Sequence, residues 1–210
     1  MVESKQQLPD TEARIIDAAR ELFIEKGYAA TSMSDIAARA GMNRPALHYY
    51  FRTKERMFRA VFGGIVDEIV PRIQGIILRH ELLPEDRVAM VVDVYYGVLK
   101  ANPSLPIFLM REMHRDFANV AETMRELRII QYFDSIKSGL VAEMNSGILK
   151  CVPLRYVFMT FYSMVIMPFG AKDLCCALLL DEGETFDDLL GKWKCHIVAT
   201  IVGMLKPGLK

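Results

Sequence analysis

Residues 31–55 read TSMSDIAARAGMNRPALHYYFRTKE, which contains two short helical patterns on either side of a glycine. Ser32 and the acid three residues after it have the spacing of a capping box, so a helix is predicted over residues 33–40. Gly41 ends that helix, and Asn43 is a candidate cap for the next one, which has a proline in its first turn. Two short helices joined through a glycine turn predict a helix-turn-helix motif.

The residues before this motif form one further helical pattern. Ile15, Ala19, Leu22 and Phe23 lie on one face of a predicted helix, whereas charged side chains occupy the opposite face. Gly27 ends this helix, in a position where glycine adopts a positive φ without steric cost. One amphipathic helix is therefore predicted before the helix-turn-helix motif.

Apolar residues recur at helical spacing along the rest of the chain, and no segment alternates cleanly at the spacing of a strand. A long helix is predicted over residues 54–80, with either a kink near Pro71 or a division into two helices. Further helices are predicted over residues 85–100, 105–115, 120–144, 154–167 and 186–205. The expected fold class is all-α.

Composition places the chain among globular proteins. It has 210 residues, of which 52% are hydrophobic and 25% charged, and this balance excludes an intrinsically disordered protein. Residues 1–30 lack the apolar stretch of an export signal. The longest uncharged run, residues 156–171, is shorter than the roughly 20 apolar residues that cross a bilayer. We therefore expect a cytoplasmic protein with no membrane partner.

The cysteines and histidines carry no signature of metal binding or catalysis. Their spacing fits neither a zinc site nor a disulfide scaffold, so free thiols are expected at Cys151, Cys175, Cys176 and Cys195. Cys195 and His196 are adjacent on a predicted helix and project about 100° apart, which prevents a catalytic dyad. Nucleotide-binding and hydrolase motifs are absent from the sequence. We therefore predict that the protein is not an enzyme and has no cofactor or metal site.

Positive charge is concentrated around the helix-turn-helix motif. Residues 39–59 contain six basic residues and a single acid, although the whole chain has a formal net charge of zero. This concentration is typical of a surface that contacts phosphates, although charge alone fits a solvated helix face equally well. The second short helix is small enough at its N-terminus to enter a major groove, where arginine pairs with guanine. The candidate DNA-binding residues are Ser32, Arg44, Pro45, Ala46, His48, Tyr49 and Lys54.

The segment from about residue 12 to residue 60 resembles the DNA-binding signature of TetR-family (tetracycline-repressor-like) transcriptional regulators. The matching positions are Gly27-Tyr28, Thr31, Ile36-Ala37, Ala40-Gly41-Met42-Asn43, Leu47, Tyr50-Phe51 and Lys54-Glu55. Asn43 replaces the usual serine cap, Pro45 stands where glycine is common, and His48 stands where tyrosine is usual.

The resemblance implies a particular organisation of the whole chain. It implies an all-helical homodimer with an N-terminal three-helix DNA-binding domain that contains the helix-turn-helix. A larger C-terminal helical domain would bind a small effector and dimerise. We expect these domains to span residues 1–55 and 56–210.

Two apolar helices near the C-terminus are candidates for the dimer interface. Residues 186–205 carry a continuous apolar stripe, and residues 154–168 carry another. Two copies of this helix pair would form a four-helix interface, whereas the alternative is that both helices belong to the core of one chain. The candidate interface residues are Phe161, Val165, Trp193, Ile197 and Ile201.

Polar and aromatic residues among the C-terminal helices indicate an effector site. Methionine and aromatic side chains line adaptable pockets but also fill ordinary cores, whereas polar groups in apolar helices need a partner when they are buried. We expect an amphipathic organic effector, whose acidic group would face Arg111 or His114, between the helices of residues 85–167. The candidate effector-binding residues are Tyr95, Phe108, Arg111, His114, Phe133, Phe158 and Tyr162.

Together these features predict a transcriptional repressor that binds a palindromic operator as a dimer. A small, largely hydrophobic effector would release it by changing the distance between the two recognition helices. The alternative is a helical dimeric ligand-binding or interaction protein without sequence-specific DNA binding. Measuring DNA binding against salt concentration separates the two, because phosphate contacts weaken steeply with salt.

Overall fold

The computed structural model describes residues 7–207, and every regular element in this range is an α-helix, which confirms the all-α prediction. The helices are α1 (Gln7–Lys26), α2 (Met33–Arg39), α3 (Arg44–Tyr50), α4 (Lys54–Ile77), α5 (Pro84–Ala101), α6 (Leu105–Arg115), α7 (Phe117–Glu126), α8 (Ile129–Asn145), α9 (Leu154–Gly170), α10 (Lys172–Leu178) and α11 (Phe186–Leu205). The helix-turn-helix predicted from residues 31–55 is formed by α2 and α3.

The helices form two compact units that alternate along the sequence. Unit 1 contains the described residues through Glu68 together with Ile107–Leu127, and unit 2 contains Ile69–Pro106 together with the described residues from Arg128 onward. These bounds differ from the predicted division between residues 55 and 56, because α6 and α7 pack with the N-terminal helices. The continuous helix α4 contributes its first part to unit 1 and its last part to unit 2.

An aromatic cluster forms the core of unit 1. The ring centroid of Phe23 in α1 lies 5.5 Å from that of Tyr28, 6.2 Å from that of Phe58 in α4 and 6.5 Å from that of Phe108 in α6. Leu47 of α3 is fully buried in the same unit. Burial of one such side chain contributes about 1.5–3 kcal/mol, so these contacts hold the N-terminal helices and α6 together.

Gly27 connects α1 to the following turn in a conformation that glycine adopts readily and other residues rarely adopt. Its φ is +88°, and a Cβ built on it would lie 2.8 Å from the guanidinium carbon of Arg111. Nη2 of Arg111 donates a hydrogen bond of 3.3 Å to the carbonyl oxygen of Phe23, so the guanidinium covers the C-terminal end of α1. The positive φ favours glycine at this position, whereas the guanidinium is the end of a flexible side chain and could move aside for a Cβ.

Unit 2 is built around α11, which packs against α5 and α9. Leu190, Ile197 and Ile201 of α11 are buried in a cluster that includes Val92 of α5 and Val165 of α9. The apolar stripe of residues 186–205 therefore forms the core of a single chain.

The structure differs from the prediction at two places and excludes one of two predicted alternatives at a third. The helix predicted over residues 120–144 is divided into α7 and α8 at Arg128, whose φ of +55° cannot continue a right-handed helix. The helix α4 runs unbroken through Pro71, which excludes division into two helices, one of the two predicted alternatives. The sequence pattern does not predict α10, which has only seven residues and follows α9 after Ala171.

Candidate functional site

The helix-turn-helix motif is held in shape by its predicted caps. Oγ of Ser32 accepts a hydrogen bond of 3.1 Å from the backbone N–H of Asp35, whose carboxylate accepts one of 2.9 Å from the N–H of Ser32. Oδ1 of Asn43 accepts a hydrogen bond of 2.9 Å from the N–H of Ala46. Gly41 lies in the turn with a φ of +69°. Each cap stabilises its helix by about 1 kcal/mol, so both helices begin at the predicted residues.

One side of α3 faces solvent and the other faces the core of unit 1. Arg44, Pro45 and Tyr49 are exposed, and Tyr49 retains 77% of its accessible surface, whereas Leu47 is buried. Nε of Arg44 donates a hydrogen bond of 3.3 Å to Nε2 of His48, which lies one turn further along the helix. The exposed side thus combines a guanidinium with aromatic and small side chains that are able to meet base edges and phosphates.

The other candidates on α2 and α3 are engaged within the motif. The Ser32 hydroxyl donates a hydrogen bond of 2.7 Å to the carboxylate of Asp35. Hydrogen bonds from the Ser32 side chain and backbone lower the pKa of Asp35, so this carboxylate stays charged as the partner of the cap. Ala46 and His48 are half-buried. The hydroxyl of Ser32 is therefore occupied by the helix cap.

Lys54 has a structural role in place of the predicted phosphate contact. Its ammonium donates hydrogen bonds to the carbonyl oxygens of Tyr28 at 2.8 Å, Thr31 at 2.9 Å and Ala29 at 3.4 Å. An ammonium has three N–H donors, and here each has a carbonyl acceptor. Burial lowers the pKa of Lys54, which agrees with a side chain drawn away from solvent. The side chain ties the segment after α1 to the first residue of α4, which corrects the prediction.

Three other basic residues in the positively charged segment, residues 39–59, remain available to contact phosphates. Arg39 is paired with Glu21 and Glu25 at 2.9 and 3.1 Å, and Arg59 is paired with Glu126 at 3.0 Å. Within residues 7–207, three exposed side chains of this segment form no ion pair with a carboxylate, namely Arg44, Arg52 and Arg56. Arg52 and Arg56 are part of the basic run in the sequence but are not among the predicted DNA contacts. They stand out only in the structure, because Arg39 and Arg59 of the same run are paired with acids.

The α6 residues predicted to bind the effector lie in unit 1 instead. Phe108 is buried in the aromatic cluster, Arg111 covers the end of α1 and His114 is exposed. Between them the buried carboxylate of Glu112 accepts a hydrogen bond of 3.2 Å from the backbone N–H of Tyr28. The amphipathic pattern of α6 shows which face of the helix is buried but not which unit buries it. Phe108, Arg111 and His114 do not line the cavity of unit 2, which corrects their prediction as effector-binding residues.

Unit 2 contains a cavity of about 750 Å³, including its open mouth, whose walls come mainly from α4, α5, α8, α9 and α11. Fourteen of its seventeen lining residues are apolar, among them Ile73 and Ile77 of α4. A mainly apolar lining with a few polar groups is typical of sites for small organic molecules. The structure brings four predicted effector-binding residues together in this wall: Tyr95, Phe133, Phe158 and Tyr162.

A buried ionic cluster borders the cavity. Nη1 and Nη2 of Arg87, which lines the cavity, donate hydrogen bonds of 2.8 and 2.9 Å to the two carboxylate oxygens of Glu143. Nδ1 of His80 lies 2.5 Å from the same carboxylate. Burial alone would raise the pKa of Glu143, but the hydrogen bonds from Arg87 and His80 outweigh it and lower that pKa. The sequence prediction missed Arg87 because its partner lies 56 residues away.

Two tyrosines form the other polar part of the wall. The hydroxyl of Tyr95 donates a hydrogen bond of 3.1 Å to the hydroxyl of Tyr162, and the two rings meet edge to face. Burial and the neighbouring Tyr162 raise the pKa of Tyr95 well above its ordinary value, so its hydroxyl remains protonated. Tyr162 retains 41% of its accessible surface, so the pair links the cavity to solvent.

The residues predicted at the dimer interface lie inside the chain. Val165, Ile197 and Ile201 are buried in the core of unit 2, and Phe161 lines the cavity. Trp193 is half-buried, and its Nε1 donates a hydrogen bond of 2.8 Å to the carbonyl oxygen of Met164 in α9. Val165, Ile197 and Ile201 therefore have little surface left for a partner, whereas Phe161 and Trp193 stay predictions. An apolar stripe marks a buried face but does not distinguish burial within one chain from burial between two.

In the range 7–207, no three His, Cys, Asp or Glu side chains are arranged to hold a metal ion, and the four cysteines are free thiols. No single helix of that range is long and apolar enough to cross a bilayer. The helices α9 and α10 pass this test only as a pair, and they are bent by 78° at the break between them.

Comparison with known proteins agrees with the helix-turn-helix assignment. Residues 15–61 match the model of bacterial regulatory proteins of the tetR family. A fatty acid metabolism regulator protein from Bacillus subtilis is 25% identical over 138 residues, which cover 65% of this chain and 70% of that relative. An HTH-type transcriptional repressor from Mycobacterium tuberculosis is 32% identical over 116 residues, which cover 55% of this chain and 58% of the repressor.

A solved structure shares the fold over a longer range. The transcriptional regulator FadR from Bacillus subtilis, in complex with stearoyl-CoA, superposes with a TM-score of 0.70 and 19% identity. The superposition covers 92% of this chain and 99% of that chain. At this identity the likeness establishes the fold, and the match over residues 15–61 adds the DNA-binding signature. The helix-turn-helix region, residues 15–61, is therefore similar to the bacterial regulatory proteins of the tetR family, and the chain as a whole shares the fold of the regulator FadR.

Proposed function

We propose that this chain is a transcriptional repressor that binds a palindromic operator as a homodimer and is released by a small, largely apolar effector. The observation that carries the proposal is the exposed side of α3, where Arg44, Pro45 and Tyr49 face solvent. The similar protein from Mycobacterium tuberculosis is a transcriptional repressor, which supports the direction of regulation.

In this proposal the exposed side of α3 reads the operator. Arg44 lies in the first turn of α3, where its guanidinium offers two donors to the O6 and N7 atoms of guanine. Tyr49 and the unpaired arginines Arg52 and Arg56 contact phosphates, which set the position of the helix without specifying sequence. Sequence recognition therefore depends mainly on Arg44, and overall affinity depends on the other three side chains.

A second copy would pair through the exposed sides of α9 and α11. These sides carry apolar or small residues at helical spacing, namely Tyr156, Met159 and Met167 on α9 and Cys195, Ala199 and Gly203 on α11. Contiguous exposed apolar surface is uncommon on monomers, and small residues allow a second helix to approach closely. This surface replaces the buried residues predicted from the apolar stripes.

The effector would act through α4. Ile73 and Ile77 of this helix line the cavity, and the same continuous helix begins at Lys54, which is tied to the segment after α1. The two recognition helices of a dimer must lie about 34–36 Å apart to enter successive major grooves. An effector releases the operator only if it binds more tightly to the form with a different spacing. The bound stearoyl-CoA of the Bacillus subtilis regulator supports ligand binding in this fold.

The proposal is tested by fluorescence anisotropy with labelled DNA from the region upstream of the gene and with a shuffled duplex of equal length. Wild-type protein should prefer the upstream DNA by at least about a thousandfold, with an affinity that falls steeply with salt. Equal affinity for both duplexes would favour an interaction protein without sequence-specific binding.

The dimer is tested separately by light scattering. Met159→Lys places a charge on the proposed interface and should give a monomer with weakened operator binding. Met110→Lys changes a similarly exposed methionine on α6 and should leave the dimer intact. A dimeric Met159→Lys variant would contradict the proposed interface.

A further inference from the structure

The wall of the unit 2 cavity contains a hydrogen-bond donor that the described residues do not satisfy. Arg87 lines the cavity with only 5% of its surface accessible, yet its Nε–H has no acceptor among residues 7–207. The terminal nitrogens are occupied, because Nη1 donates to the Ile77 carbonyl and to Glu143, and Nη2 donates to Glu143. A buried donor without a partner is unfavourable, so a bound molecule with an acceptor at this point would be stabilised.

The tyrosine pair supplies a second unused donor. Only one of the two hydroxyl protons is needed for the hydrogen bond between Tyr95 and Tyr162, and the Tyr162 hydroxyl has no further acceptor among residues 7–207. Both tyrosines line the cavity. Each polar part of the wall therefore contains one side-chain donor without a partner among the described residues.

The cavity wall has no net charge to offer an ionic ligand. The positive charge of Arg87 is balanced by Glu143 in a two-point ion pair. The other lining residues are neutral. A carboxylate placed beside Arg87 would also lie near Glu143 and be repelled by it, and an ammonium group would lose hydration without an unpaired anion to replace it.

We infer that the effector of this protein is a neutral, mainly apolar molecule with a hydrogen-bond acceptor, such as a ketone, ester, lactone or amide carbonyl. The acceptor lies against Nε of Arg87 or the free hydroxyl of the tyrosine pair, and the apolar part fills the rest of the cavity. This inference rests on the proposed effector role of the cavity. It departs from the acidic effector expected from the sequence, because Arg111 and His114 belong to unit 1 and do not line the cavity.

Three nine-carbon probes that differ only in their end group test the inference by calorimetry on the full chain at neutral pH. They are 2-nonanone, which is a neutral acceptor, nonanoate, which is an anion, and nonylamine, which is a cation. We expect 2-nonanone to bind at least tenfold more tightly than either charged probe. Equal or tighter binding of nonanoate would overturn the inference.

Variants of the chain show whether the donors are responsible. Tyr162→Phe removes the free hydroxyl and Arg87→Lys removes Nε–H while keeping the charge beside Glu143, and we expect one or both to weaken 2-nonanone binding at least threefold. Tyr132→Phe, on a half-buried tyrosine of α8 that does not line the cavity, should have no effect. If Arg87→Lys does not fold, Tyr162→Phe and the order of the three probes decide the result. Unchanged affinity in both variants would overturn the inference.

A variant that fills the cavity separates this inference from the proposed function. Leu140 lines the cavity and is only half-buried, so Leu140→Trp should block the site without removing the core. If nonanoate binds best and Leu140→Trp prevents its binding, the cavity remains an effector site and only the neutral ligand class is overturned. If Leu140→Trp leaves the binding of all three probes unchanged, the cavity is not the site and both proposals fail.

Discussion

Unit 1 and unit 2 each hold an arginine at a candidate ligand site, and the two side chains have opposite environments. Arg44 is exposed on α3 and shares one hydrogen bond with His48. Arg87 is buried and gives its terminal N–H groups to Glu143 and to the carbonyl of Ile77. A solvated guanidinium can exchange water for a phosphate or a base, whereas a neutralised one binds an anion only by leaving its partner. The residue type is the same, but the expected ligands are an anion in unit 1 and a neutral molecule in unit 2.

Removal of the partner of the buried arginine should have the largest effect. Glu143→Ala leaves the charge of Arg87 uncompensated, so the free energy of unfolding should fall by about 3–5 kcal/mol. Urea unfolding followed by circular dichroism measures this loss. Glu81→Ala breaks the exposed 2.8 Å pair with Arg79 and should cost much less, because solvent screens exposed ion pairs. Similar losses in the two variants would remove the contrast between buried and exposed arginines.

Truncation of the exposed arginine should affect DNA affinity and not folding. Arg44→Ala should weaken operator binding by about 1–3 kcal/mol, because a bidentate contact to guanine is lost. Anisotropy with operator and unrelated DNA should show that most of the loss is confined to the operator. Arg72→Ala removes an exposed arginine from the unit 2 part of α4 and serves as the matched control. An equal loss on both duplexes would make Arg44 a phosphate contact.

Arg56 and Lys54 should respond differently although they are two residues apart. Arg56→Ala should weaken binding modestly and equally for all DNA, and it should reduce the salt slope by about 1, as expected for one lost phosphate contact. Lys54→Met should leave the salt slope unchanged and lower the free energy of unfolding instead, because its ammonium is bound to three carbonyl oxygens. A reduced slope in Lys54→Met would restore the predicted phosphate role.

The smallest expected effect is the pH dependence of the buried pair. Because the folded-state pKa of Glu143 is lowered, its charged form stabilises the folded state above the ordinary value of 4.5. This stabilisation is lost as the pH falls below 4.5 towards the folded-state pKa. The stability difference between wild type and Glu143→Gln, measured by urea unfolding from neutral to acidic pH, should therefore shrink below pH 4.5. A constant difference would show that ionisation of Glu143 does not contribute.

Local sequence rules predicted the helix-turn-helix well because the interactions that define it are local. The caps at Ser32 and Asn43 each span three residues, and Leu47 is buried on the face that the helical period indicates. Long-range pairings could not be predicted in this way. The partner of Arg39 lies 18 residues away, and the assignment of α6 to unit 1 depends on contacts such as Phe23 with Phe108.

The same limit explains the mixed result for the effector and dimer residues. Helical periodicity identified Tyr95, Phe133, Phe158 and Tyr162 as parts of apolar helices, and these helices do surround the cavity. Periodicity alone could not separate that wall from the aromatic cluster of unit 1. It also could not show whether a face such as that of Val165 is covered by its own chain or by a second copy.

The turn after α1 makes position 27 a sensitive reporter of the DNA-binding unit. In a library of all twenty amino acids at this position, selection for operator binding should enrich glycine almost alone. Arg111→Ala would open room for a methyl group but would leave the positive φ unchanged, so alanine at position 27 should remain impaired even in that background. Tolerance to mutation is thus restricted here mainly by the backbone, because a guanidinium can move aside whereas the turn cannot change its φ without changing its path.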